Sequence, residues 1–208
     1  MPYALRIDAS SRHQSSHSRK LADRLEARII ESCAGLTVRR RDLAAEPIPH
    51  ILDKTIAGFY TPPSQMTETL REATAFSDTL IAELKGADTL IVSTHMYNFT
   101  VPSALKAWID QIVRVNETFS FDGEAFTGLV PVRRAYLACA YGAAGYGEGG
   151  AFASMNFLEP YLVSLLRFLG IKEVRAFRVE GTTADETTIA EAHEMAERQL
   201  DAAFRAAA

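Results

Sequence analysis

Cysteine is scarce in this chain: Cys33 and Cys139 are the only two in 208 residues. They fall in segments that read as helix and strand, so a disulfide framework is not expected, and both are expected to be small buried side chains in a reducing cytoplasm. An excess of positive charge is also missing. Lys and Arg number 22 against 26 Asp and Glu, a net charge of −4, so no basic field exists to hold nucleic acid or an anionic membrane. No run approaches the ~18 apolar residues of a transmembrane helix, and Met1 to Asp8 has neither the basic nor the apolar stretch of a signal peptide. A glycine-rich Walker loop is absent, which argues against a nucleoside triphosphate. His13, His17, His50, His95 and His193 have no ligand spacing, so no metal site is expected.

What remains is an ordinary globular composition, 48% hydrophobic and 23% charged, in a chain long enough for one sizeable core; residues 1–208 read as one domain. Residues 3–8 read as a short first strand. The turn after it, Ser10 to Ser18, contains five serines and two imidazoles and no hydrophobic residue, and a helix with Leu21, Leu25 and Ile29 follows. Free backbone N–H groups and the dipole at such a helix start favour an anion. Ser15 or Ser16 caps the helix, and Arg19 and Lys20, which oppose the dipole by themselves, fit better with a phosphate in the turn. A serine-rich capping loop with no ligand is the alternative.

Leu36 to Asp42 reads as a second strand, near a sheet edge because its alternate arginines need solvent. Residues 44–65 hold four of the eight prolines. They read as a long irregular connection, a lid or a dimer arm, under which Phe59 and Tyr60 pack. A helix over 67–84 leads to Asp88–Ser93, whose continuous apolarity marks a strand buried on both faces. From Pro102 the residues Leu105, Trp108, Ile109, Ile112 and Val113 form a helical stripe, with Pro102 suited to its first turn. The loop between, Thr94 to Val101, therefore lies at the carboxyl end of a central strand, where open α/β sheets bind ligands. Its Met96, Tyr97 and Phe99 beside Asn98 suit a flat ligand, or else cap the core. His95 reads as a structural histidine, with a role as proton source the alternative.

Phe119 and Phe121 alternate as on a short strand or hairpin. Arg134 to Tyr141 is the fourth long strand, and Gly145, Gly147 and Gly150 after it match G-x-G-x-x-G. The dinucleotide reading is rejected, because the glycines start several residues beyond the strand and too few elements follow. Glycines that let backbone amides approach a flat ring explain the turn better, and a simply flexible loop explains it as well. The helix over 157–169 is apolar around most of its circumference, which points to a cover beyond its own sheet, most simply a second copy. A fifth strand, 173–179, and a polar, alanine-rich helix over 184–204 complete the pattern. Five βα pairs give a parallel sheet with helices on both faces, in the order 2-1-3-4-5.

Met96-Tyr97-Asn98-Phe99 with Pro102-Ser103, Leu105-Lys106, Trp108, Asp110 and Thr118-Phe119 resembles the FMN-dependent NADH:quinone oxidoreductases and azoreductases of bacteria, which have a flavodoxin-like fold. The likeness extends to Asp42–Pro49 and to the serine-rich turn. It implies an FMN phosphate held at Ser10, Ser16, His17 and Ser18, with His17 where many members have glutamine. It implies a flavin ring against Met96, Tyr97, Asn98 and Phe99 and along Ala140, Tyr141, Gly142 and Ala143, where many relatives have Ser-Arg-Gly-Gly. Phe99, Phe119 and Phe121 are implied on the substrate side, the position of Phe121 being often tyrosine. The activity implied is two-electron, ping-pong reduction of quinones and azo compounds by NADH or NADPH in a cytoplasmic homodimer, with no side chain assigned as an obligatory acid or base. A flavodoxin-type electron carrier and a cofactor-free binding module are the alternatives.

Overall fold

The computed structural model describes residues 3–33 and 35–205; Met1 and Pro2, where no signal segment is expected, lie outside them. Five parallel strands, β1 (Tyr3–Asp8), β2 (Thr37–Asp42), β3 (Thr89–His95), β6 (Arg134–Ala140) and β7 (Glu173–Val179), form one sheet in the order β2-β1-β3-β6-β7. Counted along the chain without the hairpin this is the expected 2-1-3-4-5. The hairpin, β4 (Phe119–Phe121) and β5 (Phe126–Gly128), is a separate antiparallel pair. In register, Ile7 lies opposite Val92, Val92 opposite Leu137, and Leu137 opposite Ala176.

Alternation along β1 assigns its side chains to two cores, because successive residues of a strand point to opposite faces. Tyr3, Leu5, Ile7 and Ala9 enter the core under α3 (Glu68–Lys85), α4 (Ser103–Ile112) and α5 (Glu159–Phe168). Ala4 enters the one under α1 (His17–Ser32) and α6 (Glu186–Arg205). Arg6, two residues on, is buried with Asp8, Glu26 and Asp23 around its guanidinium. A buried cation needs such partners to offset its lost hydration. α4 follows its apolar stripe: Leu105, Trp108, Ile109 and Ile112 are all buried, and a side chain as deep as Leu105 typically withstands truncation at a loss of about 2–5 kcal/mol.

The structure corrects three expectations. Residues 44–65 are not wholly irregular but contain α2 (Asp53–Tyr60) and a 3-10 turn at Pro63–Gln65. Thr55 Oγ1 accepts from the Leu52 amide to start α2, and Gly58 lies so close to α3 that an added Cβ would stand 2.5 Å from Thr74 Cγ2. Phe59 lies under the Arg114 guanidinium, 4.4 Å from its carbon, whereas Tyr60 is exposed. Cys33 is exposed, because it caps α1 just beyond the buried stripe. Cys139 is buried as expected, and burial pushes its thiol up, away from reactivity.

Candidate functional site

Three turns leave the carboxyl ends of β1, β3 and β6. In the first, buried Ser10 accepts through Oγ from the Arg12 amide at 3.3 Å. Ser16 is the N-cap of α1, its Oγ accepting from the Arg19 amide and standing 3.2 Å from Ser18 Oγ. No acidic side chain occupies the first turn of α1, so nothing in it offsets the positive end of the dipole. Arg19 does not line the cavity that this turn borders. It makes a bidentate pair with Asp42 at 2.8 Å and donates to the Ser10 carbonyl at 2.6 Å. Although burial works against the Asp42 charge, the Arg19 hydrogen bond and the Ala44 and Ala45 amides hold its carboxyl below the usual range. The cation beside the turn is Arg12 instead.

In the second turn, Met96 donates its amide to the Ala140 carbonyl at 3.0 Å, tying the loops after β3 and β6 together. Tyr97 and Thr100 exchange both backbone hydrogen bonds, at 3.1 and 3.0 Å, around Asn98 at φ 46° and Phe99 at φ 71°. This is the two-residue turn with both central residues left-handed. Asn tolerates that region and Phe does so only under strain. The turn is anchored where the Phe157 amide donates to the Phe99 carbonyl at 3.0 Å. His95, at the end of β3, meets the Tyr97 ring edge-on at 4.0 Å. Both of its ring nitrogens are buried without a protein partner, and burial, then Arg12, lowers its pKa.

In the third turn, Tyr141 points into the core. Its ring stacks on Tyr146 at 5.4 Å, Asn156 Nδ2 donates to its hydroxyl at 3.4 Å, and burial raises the phenol's pKa. Thr182 and Thr183, beyond β7, donate through amide and hydroxyl to the Tyr141 and Gly142 carbonyls. The glycines beyond fold on themselves: at Gly150 a Cβ would lie 2.3 Å from the Gly145 carbonyl oxygen.

These turns enclose a cavity of about 170 Å³. It is lined by the expected Ser10, Ser16, His17, Ser18, Met96, Tyr97, Ala140 and Gly142, together with Arg12, Ser15, His95, Thr182 and Thr183. Asn98 and Phe99 stand outside its wall in the strained turn, Tyr141 is turned inward, and Ala143 is exposed. Phe119 and Phe121 are on the hairpin, packed with Phe126 and, for Phe119, Phe168. Thr182 and Thr183 belong to a fourth turn, after β7, and carry no motif in the sequence beyond a hydroxyl pair soon after the fifth strand. A larger cleft of about 700 Å³ runs along α3, but Arg114 there is paired with Asp78 and Lys85 with Glu117.

A parallel sheet in this order, with a helix N-terminus and an aromatic turn meeting at its carboxyl edge, defines the flavodoxin-like α/β proteins. A family model described as flavodoxin-like fold matches residues 3–203, and the chain belongs to that family. It is 49% identical over 174 residues to an FMN-dependent NADH:quinone oxidoreductase of Xanthobacter autotrophicus, covering 84% of each chain. It is 37% identical, over the whole of both chains, to the FMN-dependent NAD(P)H:quinone oxidoreductase 1 of Pseudomonas aeruginosa. The crystal structure of an azoreductase from Bacillus anthracis superposes with a TM-score of 0.83 at 25% identity, over 96% of this chain and 99% of that one.

Proposed function

We propose that the protein is a homodimeric FMN-dependent oxidoreductase that uses NADH or NADPH to reduce quinones and azo compounds, residues 1–208 forming one FMN-binding domain. The observation that carries this reading is the cavity at the carboxyl edge, where both ring nitrogens of His95 are buried with no protein partner. An unpaired buried polar group has a desolvation cost of about 1–3 kcal/mol, and a polar ligand in the cavity would offset it. The lining suits the phosphate and polyol part of FMN. The start of α1 with Ser16, His17 and Ser18, and the Arg12 guanidinium, suits a phosphate; the serine and threonine hydroxyls suit a polyol chain. The cavity's 170 Å³ is below the ~300 Å³ at which drug-sized sites begin, so the flat ring belongs at its mouth, against Met96, Tyr97, Ala140 and the Asn98-Phe99 turn.

Bound there, the flavin supplies a two-electron carrier between a reduced nicotinamide and a quinone or azo acceptor. The chain's own residues bind and orient. Tyr97, 53% exposed, and Phe99, 41% exposed, offer open aromatic surface for stacking. Phe119 and Phe121 do not line the cavity of their own chain, and their place in this reading is as a roof contributed by a second copy. The exposed aromatic rings of the hairpin and of Phe157 support that assembly. Two unpaired cysteines and a net charge of −4 support a cytoplasmic setting without nucleic acid or membrane partners; among the described residues no helix is long and apolar enough to cross a membrane.

The test is the visible spectrum of the purified protein with FMN, before and after anaerobic NADH or NADPH. A flavin band that bleaches with the nicotinamide and returns with benzoquinone is expected. Bound flavin that neither nicotinamide bleaches would make the protein an electron carrier, and absence of flavin binding would refute the reading altogether.

A further inference from the structure

His17 opens α1 and lines the cavity, and its Nδ1 lies 2.9 Å from Nε2 of His193 on α6, the ring centroids 5.2 Å apart. We propose that His17 and His193 form a proton-accepting imidazole pair that reads the phosphate of the flavin nucleotide, His17 donating to the phosphate and His193 positioning His17. The proposal rests on the FMN reading above.

The hydrogen-bond inventory sets the direction of the pair. Neutral imidazole has one N–H and one bare nitrogen, and His193 Nδ1 is buried without a partner. A buried donor without an acceptor is rarer and more costly than an under-used acceptor. The bare nitrogen is therefore His193 Nδ1, His193 Nε2 donates to His17 Nδ1, and His17 Nε2 carries the hydrogen. Without His193 the two His17 tautomers compete; with it, the donor is fixed on the nitrogen that does not face α6.

The surroundings keep the pair neutral until an anion arrives. Burial lowers both pKa values, and Lys20 and Arg12 lower that of His17 further. His193 is pushed down to about 4 by burial, by His17 and by Arg24 and Lys20. On the outer side, Glu194 and Glu197 of α6 face the same cleft as Lys20 and Arg24, but Glu197 is already paired with Arg24 at 3.2 Å. A phosphate dianion beside His17 reverses the balance. The pair then takes one proton from solvent at His193 Nδ1, its one bare nitrogen, and shares the positive charge across the His193 Nε2–H···Nδ1 His17 hydrogen bond, so nucleotide binding and proton uptake are linked. The same cavity contains His95, and proton uptake by its ring would survive His17→Gln.

Isothermal titration of the apoprotein with FMN and with riboflavin, above pH 7 in two phosphate-free buffers of different ionisation enthalpy, tests this. There the phosphate, with a second pKa of about 6, is already a dianion. FMN binding is expected to take up a fraction of a proton, and its Kd to rise with pH, by at most about tenfold per unit, while the pair is protonated in the complex and neutral in the free protein, levelling off once the pair deprotonates in the complex as well; riboflavin should show neither effect. His17→Gln should abolish the phosphate-specific uptake. His193→Ala should reduce it and weaken FMN several-fold while leaving riboflavin unchanged. FMN binding without uptake, or with uptake that survives His17→Gln, would overturn the pair, as would equal weakening of both ligands by His193→Ala. Failure to bind FMN at any pH would overturn the cofactor reading instead.

Discussion

Phe99 has φ 71° with no glycine to relax it, in the turn placed at the cavity mouth. Backbone strain of this kind persists where surrounding contacts enforce it, and it gathers at ligand sites. Here the enforcing contacts are the paired hydrogen bonds of Tyr97 and Thr100 and the Phe157 amide on the Phe99 carbonyl. The consequence is a reversed ranking of two substitutions. In ordinary backbone, glycine is less stable than alanine by about 0.5–1 kcal/mol; in the left-handed region the alanine Cβ is the liability, at about 1–2 kcal/mol. Phe99→Gly should therefore be more stable than Phe99→Ala by about 1 kcal/mol, read from urea midpoints of the apoproteins, with both weakened in flavin binding. The opposite ranking would mean that the turn is not held left-handed in solution.

At the scale of elements, α1 and α6 are joined through an imidazole pair with depressed pKa values, and the sign of its contribution is defined. The unfolded pKa is the ordinary 6.5, and the folded value of His193 is about 4. Between these pH values the unfolded chain binds more protons, so stability from this contact is complete above 6.5 and declines as pH falls toward 4. His193→Gln should be less stable than the native chain at pH 7, by urea denaturation, and the gap should shrink at pH 5; a gap independent of pH would contradict a neutral buried pair. The five parallel strands and their order were legible from the sequence because short apolar strands, nearly continuous in β3 and β6, alternate with helical stripes along the whole chain. The turn after β1 was legible as the capping loop of α1 from its serines, and Ser16 is that cap. Arg19 was misread, because whether a cation in a first helical turn faces a ligand or reaches back to Asp42 depends on a strand 20 residues on. The contact between His17 and His193 is separated by 176 positions, and no local pattern reports such a pairing. α2 was missed because four prolines masked an eight-residue helix that lies between them and draws its stability from α3.

For the whole molecule, the distribution of exposed apolar side chains bears on assembly. Phe121, Phe126, Leu129 and Phe157 are between 40% and 60% exposed, along the hairpin and the entry to α5. Large rings scattered singly would need no explanation, but this chain exposes three phenylalanines and a leucine on the hairpin and ahead of α5, which is apolar surface suited to an interface. A stable dimer buries about 800 Å² per partner, with aromatic residues at its centre. Phe157→Glu places a charge in that centre, where desolvation without a partner is unfavourable, while leaving the serine turn and α1 untouched. The native protein is expected at twice the chain mass by light scattering, and Phe157→Glu should shift toward the monomer with an unchanged circular dichroism spectrum. Its FMN affinity is expected to fall less than its NADH-dependent benzoquinone turnover, because in the proposed dimer the phosphate end of the site lies within one chain and Phe119 and Phe121 roof the site of the other. A variant that becomes monomeric yet reduces benzoquinone at the native rate would show that one chain closes its own site, and the hairpin would then have no part in catalysis.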